Sequence, residues 1–307
     1  VKKNTLNTKA KTRYAKQILF NPIGHRGQRA LAASKVTIIG LGALGTVSSN
    51  QLCRAGIGHL KLVDRDYVEY SNLQRQIFFD EKDALEFIPK AISAAAKLSF
   101  ANSEIEIESL VDDISPRSIE NIIAGSSLVV DATDNIETRL LINDASVKNN
   151  IPWVYGAIIG SIGMTMSIVP GRTPCLRCYI EDIPAPGSIP SCDTEGVLSM
   201  ATGTIASLQS AEALKLLIGL EPTPGLLYLD VWNWDFKTLD IEKRDDCPAC
   251  GKNTFEFLNG ENYSWTTVLC GRNAVQISHR RRKERLTLKS FPAGLKLQEM
   301  LTLMVTC

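Results

Sequence analysis

Residues Lys35-Val-Thr-Ile-Ile39 form a short, mostly β-branched stretch that runs directly into Gly40-Leu-Gly-Ala-Leu-Gly45. An apolar strand followed by Gly-x-Gly-x-x-Gly and a helix start aims backbone N–H groups, and the positive end of the helix, at a bound phosphate. Gly40, Gly42, Ala43 and Gly45 are therefore candidate nucleotide-binding positions. The loop alone suits a nicotinamide cofactor, ATP or a plain tight turn. Asp64 lies 24 positions after Gly40, at the end of the next apolar run, His59-Leu-Lys-Leu-Val63, where a carboxylate accepts ribose hydroxyls or caps a turn. Asp66 serves either the nucleotide or the next turn.

Outward from this stretch, apolar runs alternate with helical patterns. Strands are predicted at 35–39, 59–63, 105–109, 127–130 and 153–155, with helices from Gly45 to about Arg54, Pro89–Ala101, Ser115–Ala124 and Glu137–Asn149. Such alternation implies an α/β fold: a doubly wound, Rossmann-like sheet with helices on both faces and ligand at the carboxyl ends of the strands. Beyond Ile162 the pattern changes. Strands are expected over Met164–Val169 and Leu226–Trp234, with a Pro-rich loop at 184–190 and a long helix over Ala201–Leu217, giving a mixed sheet overall. Residues 1–12 are polar and read as a flexible arm.

The bulk numbers exclude some classes. With 307 residues, 22% charged and a net charge near +1, the chain gives no reason to expect a nucleic-acid or membrane field. No apolar run approaches a membrane span, and the basic start lacks the apolar stretch of a signal peptide, so a cytoplasmic protein is expected. Four of eight cysteines fall as Cys175-x-x-Cys178 and Cys247-x-x-Cys250, the spacing of a closed structural zinc site that would pin the late strands. Only three histidines are present, which points away from histidine acid–base chemistry.

Arg75 and Lys90 supply fixed cations of the kind a reacting triphosphate needs. Lys90 begins a helix, where a cation opposes the helix dipole, and that local conflict favours a ligand over a surface lysine. Asp134, in Asp131-Ala-Thr-Asp-Asn135, could hold Mg²⁺ against the phosphates, or Thr133 or Asp134 could cap the following helix. Cys192 lies just after the Pro-rich loop as either a nucleophile or an incidental thiol.

These residues resemble the ThiF/MoeB family, the bacterial relatives of the ubiquitin-activating enzymes. The likeness covers about residues 13–251 and includes Arg13-Tyr14, the glycine loop, Asp64-Arg-Asp66, Ser71-Asn-Leu-Gln-Arg-Gln76, Lys90, Asp131–Asn135, Asn143-Asp144, both cysteine pairs, and Cys192. It implies a homodimer that uses ATP to adenylate the C-terminal glycine of a ubiquitin-like sulfur carrier ending in Gly-Gly, releases pyrophosphate, and passes the product to a sulfur donor protein. It also implies that Asp64 binds ribose and that Arg75 and Lys90 hold phosphates. Ser71, Asn72, Gln76, Thr133 and Asn135 would complete the nucleotide site, and the segment around Cys192 would cross the carrier's tail. Arg13 and Lys16 would act at the partner subunit's site. Lys16 stands where the family usually has arginine and lacks the bidentate fork.

The thiazole (ThiS-type) carrier is the expected substrate, with a molybdopterin (MoaD-type) carrier as alternative. A nicotinamide-dependent oxidoreductase and an inactive carrier-binding scaffold are the readings from other classes. Residues 252–307 read as a partial C-terminal extension that turns basic at His279-Arg-Arg-Arg-Lys-Glu-Arg285 and packs poorly. Limited proteolysis should accordingly trim the chain near residue 278, and survival of 278–307 through digestion would refute that expectation.

Overall fold

A computed structural model describes residues 8–181, 195–262, 266–269 and 274–277. The chain divides into two units, residues 1–262 and 263–307. The first opens with three helices, α1 (Thr8–Arg13), α2 (Ala15–Leu19) and α3 (Gly24–Ala33), before β1 (Lys35–Ile39). There follow α4 (Ala43–Ala55), β2 (His59–Val63), a 3₁₀ turn at Tyr70–Asn72, α5 (Glu81–Leu85), α6 (Lys90–Ala101) and β3 (Glu106–Leu110). The chain continues through α7 (Ile119–Ile123), β4 (Leu128–Asp131), α8 (Ile136–Lys148), β5 (Trp153–Ile159) and β6 (Ile162–Ile168). Short α9 (Leu176–Tyr179), long α10 (Ser199–Leu217), β7 (Leu226–Asp230) and β8 (Asp235–Leu239) complete this unit. In the second unit β9 (Thr266–Leu269) and β10 (Ala274–Ile277) pair antiparallel.

The strands of the first unit form one eight-stranded sheet in the order β3-β2-β1-β4-β5-β6-β7-β8. The first five of these are parallel and the last three antiparallel, so the sheet is mixed and Rossmann-like as expected. From β1 the chain winds outward to β3, then returns to β4 and β5 on the other side of β1. Right-handed crossovers put the two sets of connecting helices on opposite faces. The reversal leaves a crevice between the carboxyl ends of β1 and β4, the usual ligand position in such sheets. Val36, Ile38, Leu60, Leu62 and Val130 are fully buried with Leu52 of α4 and Leu98 of α6 in one core. Each such side chain contributes about 1.5–3 kcal/mol of burial.

Helix α4 starts at Ala43, two residues earlier than expected, because the Gly42 carbonyl already accepts the Thr46 N–H at 3.1 Å and the Thr46 hydroxyl at 2.9 Å. At its far end Gly56 takes the left-handed conformation (φ 85°), which suits a residue without Cβ. The expected helix 115–124 shortens to α7, because Ser118 turns its hydroxyl onto the Asp113 carbonyl at 3.0 Å and receives the Ser115 N–H. The single strand expected over 226–234 is a hairpin. Asp230 accepts the Trp232 and Asn233 N–H groups on its carboxylate, and Trp234 (φ 56°) completes the reversal into β8.

Two glycines set the phosphate turn by close approach. A Cβ on Gly45 would lie 1.9 Å from the Gly40 carbonyl oxygen, and one on Gly40 would lie 2.5 Å from the Ala132 carbonyl oxygen. At Gly42 a Cβ would meet only Gln76, at 3.8 Å. Gly45→Ala should therefore cost about 2–4 kcal/mol in chemical denaturation, whereas Gly42→Ala should cost less than about 1; equal effects would show that the turn relaxes freely.

Candidate active site

The glycine turn is tied to its neighbours on both sides. Gly40 N–H donates to the Val63 carbonyl at 2.8 Å, and Ala132 N–H donates to the Ile39 carbonyl at 2.8 Å. The ends of β1, β2 and β4 are thus brought into one crevice. Asp64, the first residue after β2, accepts the Leu41 N–H at 2.6 Å on one carboxylate oxygen and the Asp66 N–H at 2.7 Å on the other. Burial pushes the Asp64 carboxyl up, against the opposing pull of Lys90 and of these two N–H groups. Each oxygen keeps a lone pair, so ribose hydroxyls remain acceptable donors.

Lys90 does not point outward. Its side chain is 8% exposed and its ammonium lies 3.1 Å from an Asp66 carboxylate oxygen. Its own N–H donates to the Asp66 carbonyl at 2.9 Å, stitching the start of α6 to the segment after β2. Burial works against the charged amine, but Asp64 and Asp66 overcome it and hold the Lys90 pKa above the ordinary lysine value, with Asp134 adding to the same field. The conflict between a lysine and a helix N-terminus is resolved by this carboxylate cluster.

The 71–76 segment reaches the turn through Gln76, which is buried beside Gly42. Its Oε1 has no hydrogen-bond partner among the described residues. Asn72 is buried and accepts the Glu69 N–H at 3.2 Å, which shapes the 3₁₀ turn, while Ser71 is exposed. Arg75 is half-buried, and its guanidinium donates to the Ser71 carbonyl at 2.8 Å, within its own turn.

On the opposite wall, Asp131 is fully buried at the end of β4 and accepts both the N–H and the hydroxyl of Thr133, at 3.0 and 2.7 Å. Arg139 donates to the Thr133 carbonyl at 2.6 Å and approaches the second Asp131 oxygen at 3.6 Å. Every polar group of Thr133 is held, so Asp134, next in the chain, stands exposed on a fixed loop. Asn135 takes the helix cap, accepting the Thr138 N–H at 2.8 Å, which leaves Thr133 and Asp134 uninvolved in capping. Gln209 of α10 donates to the Asp131 carbonyl at 2.7 Å and packs on Gly156, sealing this wall from behind.

Arg13 and Lys16 lie apart from this crevice within the chain. Arg13 donates to the carbonyl of Ala101, the last residue of α6. Lys90 is its first, and a helix of that length spans roughly 16 Å. Lys16 is exposed on α2. Cys192 and the Pro-rich loop lie outside the described residues. Asp131 and Arg65 stand inside motifs quoted from the sequence without a role of their own, and Arg139 lies outside them. The usable signal was Asp131 itself, since a carboxylate that closes a fully apolar strand needs a cation or several N–H groups.

The four cysteines Cys175, Cys178, Cys247 and Cys250 converge, with all sulfurs within 4.8 Å of one another. Cys175 and Cys247 sulfurs are 3.6 Å apart and those of Cys178 and Cys250 3.4 Å. Tetrahedral zinc with Zn–S bonds of ~2.3 Å needs sulfurs about 3.8 Å apart, so the set fits that ion and leaves no open position. Asn143 accepts the Leu176 N–H at 2.9 Å beside this cluster, and neighbouring Asp144 accepts the Phe257 N–H at 2.9 Å. The pair therefore ties the first cysteine loop and the segment that follows the second to α8. None of the described helices is long and apolar enough to cross a membrane.

The ThiF family model matches residues 14–249. The chain is 47% identical over 267 residues to a sulfur carrier protein ThiS adenylyltransferase of Bacillus subtilis, covering 86% of this chain and 79% of that one. It is 37% identical over 253 residues to a SAMP-activating enzyme E1 of Haloferax volcanii, covering 82% and 93%. Among solved structures, MccB of E. coli with MccA-N7isoASN superposes with a TM-score of 0.69 at 22% identity, covering 81% and 76%, a likeness of fold.

Metal analysis should find one zinc per chain. Cys247→Ser should lower stability by ~3 kcal/mol or more, because a missing thiolate opens the cluster; a metal-free preparation with an unchanged melting curve would speak against a zinc role.

Proposed function

The chain belongs to the ThiF family, and on that premise we propose that it adenylates the C-terminal glycine carboxylate of a ubiquitin-like sulfur carrier, the thiazole (ThiS-type) carrier first among candidates. The observation that carries this reading is the convergence of Lys90 with Asp64 and Asp66 at the glycine turn. A resting pyrophosphate is served by N–H groups alone, whereas a triphosphate under attack gains from a fixed cation in a dry site. That difference favours nucleotidyl transfer over nicotinamide chemistry.

In this mechanism ATP lies across the turn with its ribose on Asp64 and its phosphates at the α4 N-terminus. Lys90 and Arg75 neutralise the charge that builds on the α-phosphate. The carrier's carboxylate oxygen attacks the α-phosphorus, the bond to the bridging oxygen breaks, and pyrophosphate leaves. No general base is needed, because the attacking carboxylate is already ionised. The protein's contribution is orientation and charge. Mg²⁺ would be held by Asp134, whose exposed carboxylate on a clamped loop suits an ion that shares its shell with phosphate oxygens and water. Arg13 and Lys16 act, on this reading, at a second subunit's site in a homodimer. Cys192 is assigned to the later handling of the adenylated carrier. Residues 13–251 are assigned to the adenylating part, against which 252–262 pack through the Phe257 N–H on Asp144, and the remainder to an appended segment.

Carrier-dependent exchange of labelled pyrophosphate into ATP tests this directly. The wild type should exchange with a carrier ending in Gly-Gly, and Lys90→Met should reduce the rate about 10²-fold or more. Comparing kcat/KM for ThiS-type and MoaD-type carriers selects the substrate. Absence of exchange with every such carrier would overturn the assignment.

A further inference from the structure

Asp66 has two cations, and the proposed chemistry uses only one. Its Oδ2 lies 3.1 Å from the Lys90 ammonium, and its Oδ1 lies 3.7 Å from the Arg65 Nε. Arg65 is gripped from the other side by Asp113, whose carboxylate accepts its Nη1 at 2.9 Å. Asp113 sits on the loop that leaves β3, and its carbonyl is held in turn by the Ser118 hydroxyl. A chain of alternating charge, Asp113–Arg65–Asp66–Lys90, therefore runs from the β3 edge to the first residue of α6. The Asp134 carboxylate adds to the negative field at both Arg65 and Lys90.

We propose that Arg65, held by Asp113, is a positioning residue that takes over the Asp66 carboxylate when the Lys90 ammonium turns to a nucleotide phosphate, so that the Asp113–Arg65 pair sets the affinity for ATP. This rests on the reading of Lys90 as a phosphate ligand. Phosphate and Asp66 compete for one ammonium. With no second cation, releasing Lys90 leaves Asp66 unpaired beside Asp64, a like charge whose oxygen already binds the Asp66 N–H. A half-buried carboxylate in that position resists losing its partner. Arg65 removes the conflict. Its guanidinium has donors on two edges, so it bonds Asp113 with Nη1 while Nε faces Asp66. Lysine presents a single point charge and can serve only one of the two carboxylates well. Because the Arg65 guanidinium is engaged by Asp66 and Asp113, its removal should act on ATP binding through Asp66 and Lys90, without touching the carrier.

The test is titration of the full-length protein with Mg-ATP, together with KM values for ATP and carrier in the exchange assay, for the wild type, Arg65→Met, Arg65→Lys, Asp113→Asn, Asp66→Asn and the Arg65→Met/Asp66→Asn pair. Arg65→Met should weaken ATP binding about tenfold, equivalent to ~1.4 kcal/mol, with the carrier KM unchanged. Asp113→Asn should give a smaller loss of the same kind, and Arg65→Lys should recover part of it. Adding Asp66→Asn to Arg65→Met should restore ATP affinity towards that of Asp66→Asn alone, because the carboxylate that competes for Lys90 is then gone. A merely structural role for Arg65 would lower thermal stability and both KM terms together, with no recovery in the double variant; that result, or ATP affinity within twofold of the wild type in Arg65→Met, overturns the proposal. Direct ATP titration keeps the test separate from the adenylation reading: wild-type protein that binds ATP but exchanges no pyrophosphate refutes the reaction, and the variants still decide the role of Arg65.

Discussion

The crevice depends on one carboxylate that bonds to two stretches of backbone at once. Asp64 accepts the N–H of Leu41 from the glycine turn and that of Asp66 from its own loop, so the exits of β1 and β2 are locked in register with each other. Everything downstream inherits that register. The Asp66 carbonyl then receives the N–H of Lys90, which fixes where α6 begins, and the Asp66 carboxylate receives its ammonium. A helix that would otherwise start with an unfavourable charge gains a buried, multiply paired one. Backbone accommodation on the other side is equally tight, with no room for a Cβ on Gly45 or Gly40.

Much of this was legible in the sequence, because the relevant signals are local. A β-branched run ending in spaced glycines, an acid at the end of the next strand, and two Cys-x-x-Cys pairs each carry their meaning in a few consecutive residues. The parallel half of the sheet and the cysteine cluster follow from them. Less legible were features set by partners distant in the chain. Nothing near Asp131 in sequence says that Arg139 and Gln209 will close around it, and nothing near Arg65 points to Asp113. The hairpin at 230–235 has the sequence pattern of one strand because its apolar residues run on through the turn, and the reversal comes from the Asp230 side chain and the Trp234 backbone. Arg13 and Lys16 illustrate a different gap. Their proposed action concerns a second subunit, and within one chain Arg13 is engaged at the far end of α6.

The two walls of the crevice are stiffened by different means. On the β2 side, alternating charges hold side chains that can exchange partners. On the β4 side, Asp131 and Arg139 immobilise Thr133 completely, leaving the adjacent Asp134 free on a rigid support. A rigid wall suits a group that must hold still during an in-line displacement, and a wall of exchangeable ion pairs suits one that must release and recapture a cation.

The bond from Gln209 to the Asp131 carbonyl bears on the timing of synthesis. These residues stand 78 positions apart, and β4 and β5, whose Asp131 and Val154 carbonyls Gln209 reaches, are complete well before α10 is made. Until residue 209 emerges from the ribosome, the floor of the crevice exposes an apolar sheet face and an unsealed carbonyl. The nascent chain is accordingly most exposed to aggregation before α10 covers this face, and β7, β8 and the second cysteine pair complete the fold only afterwards.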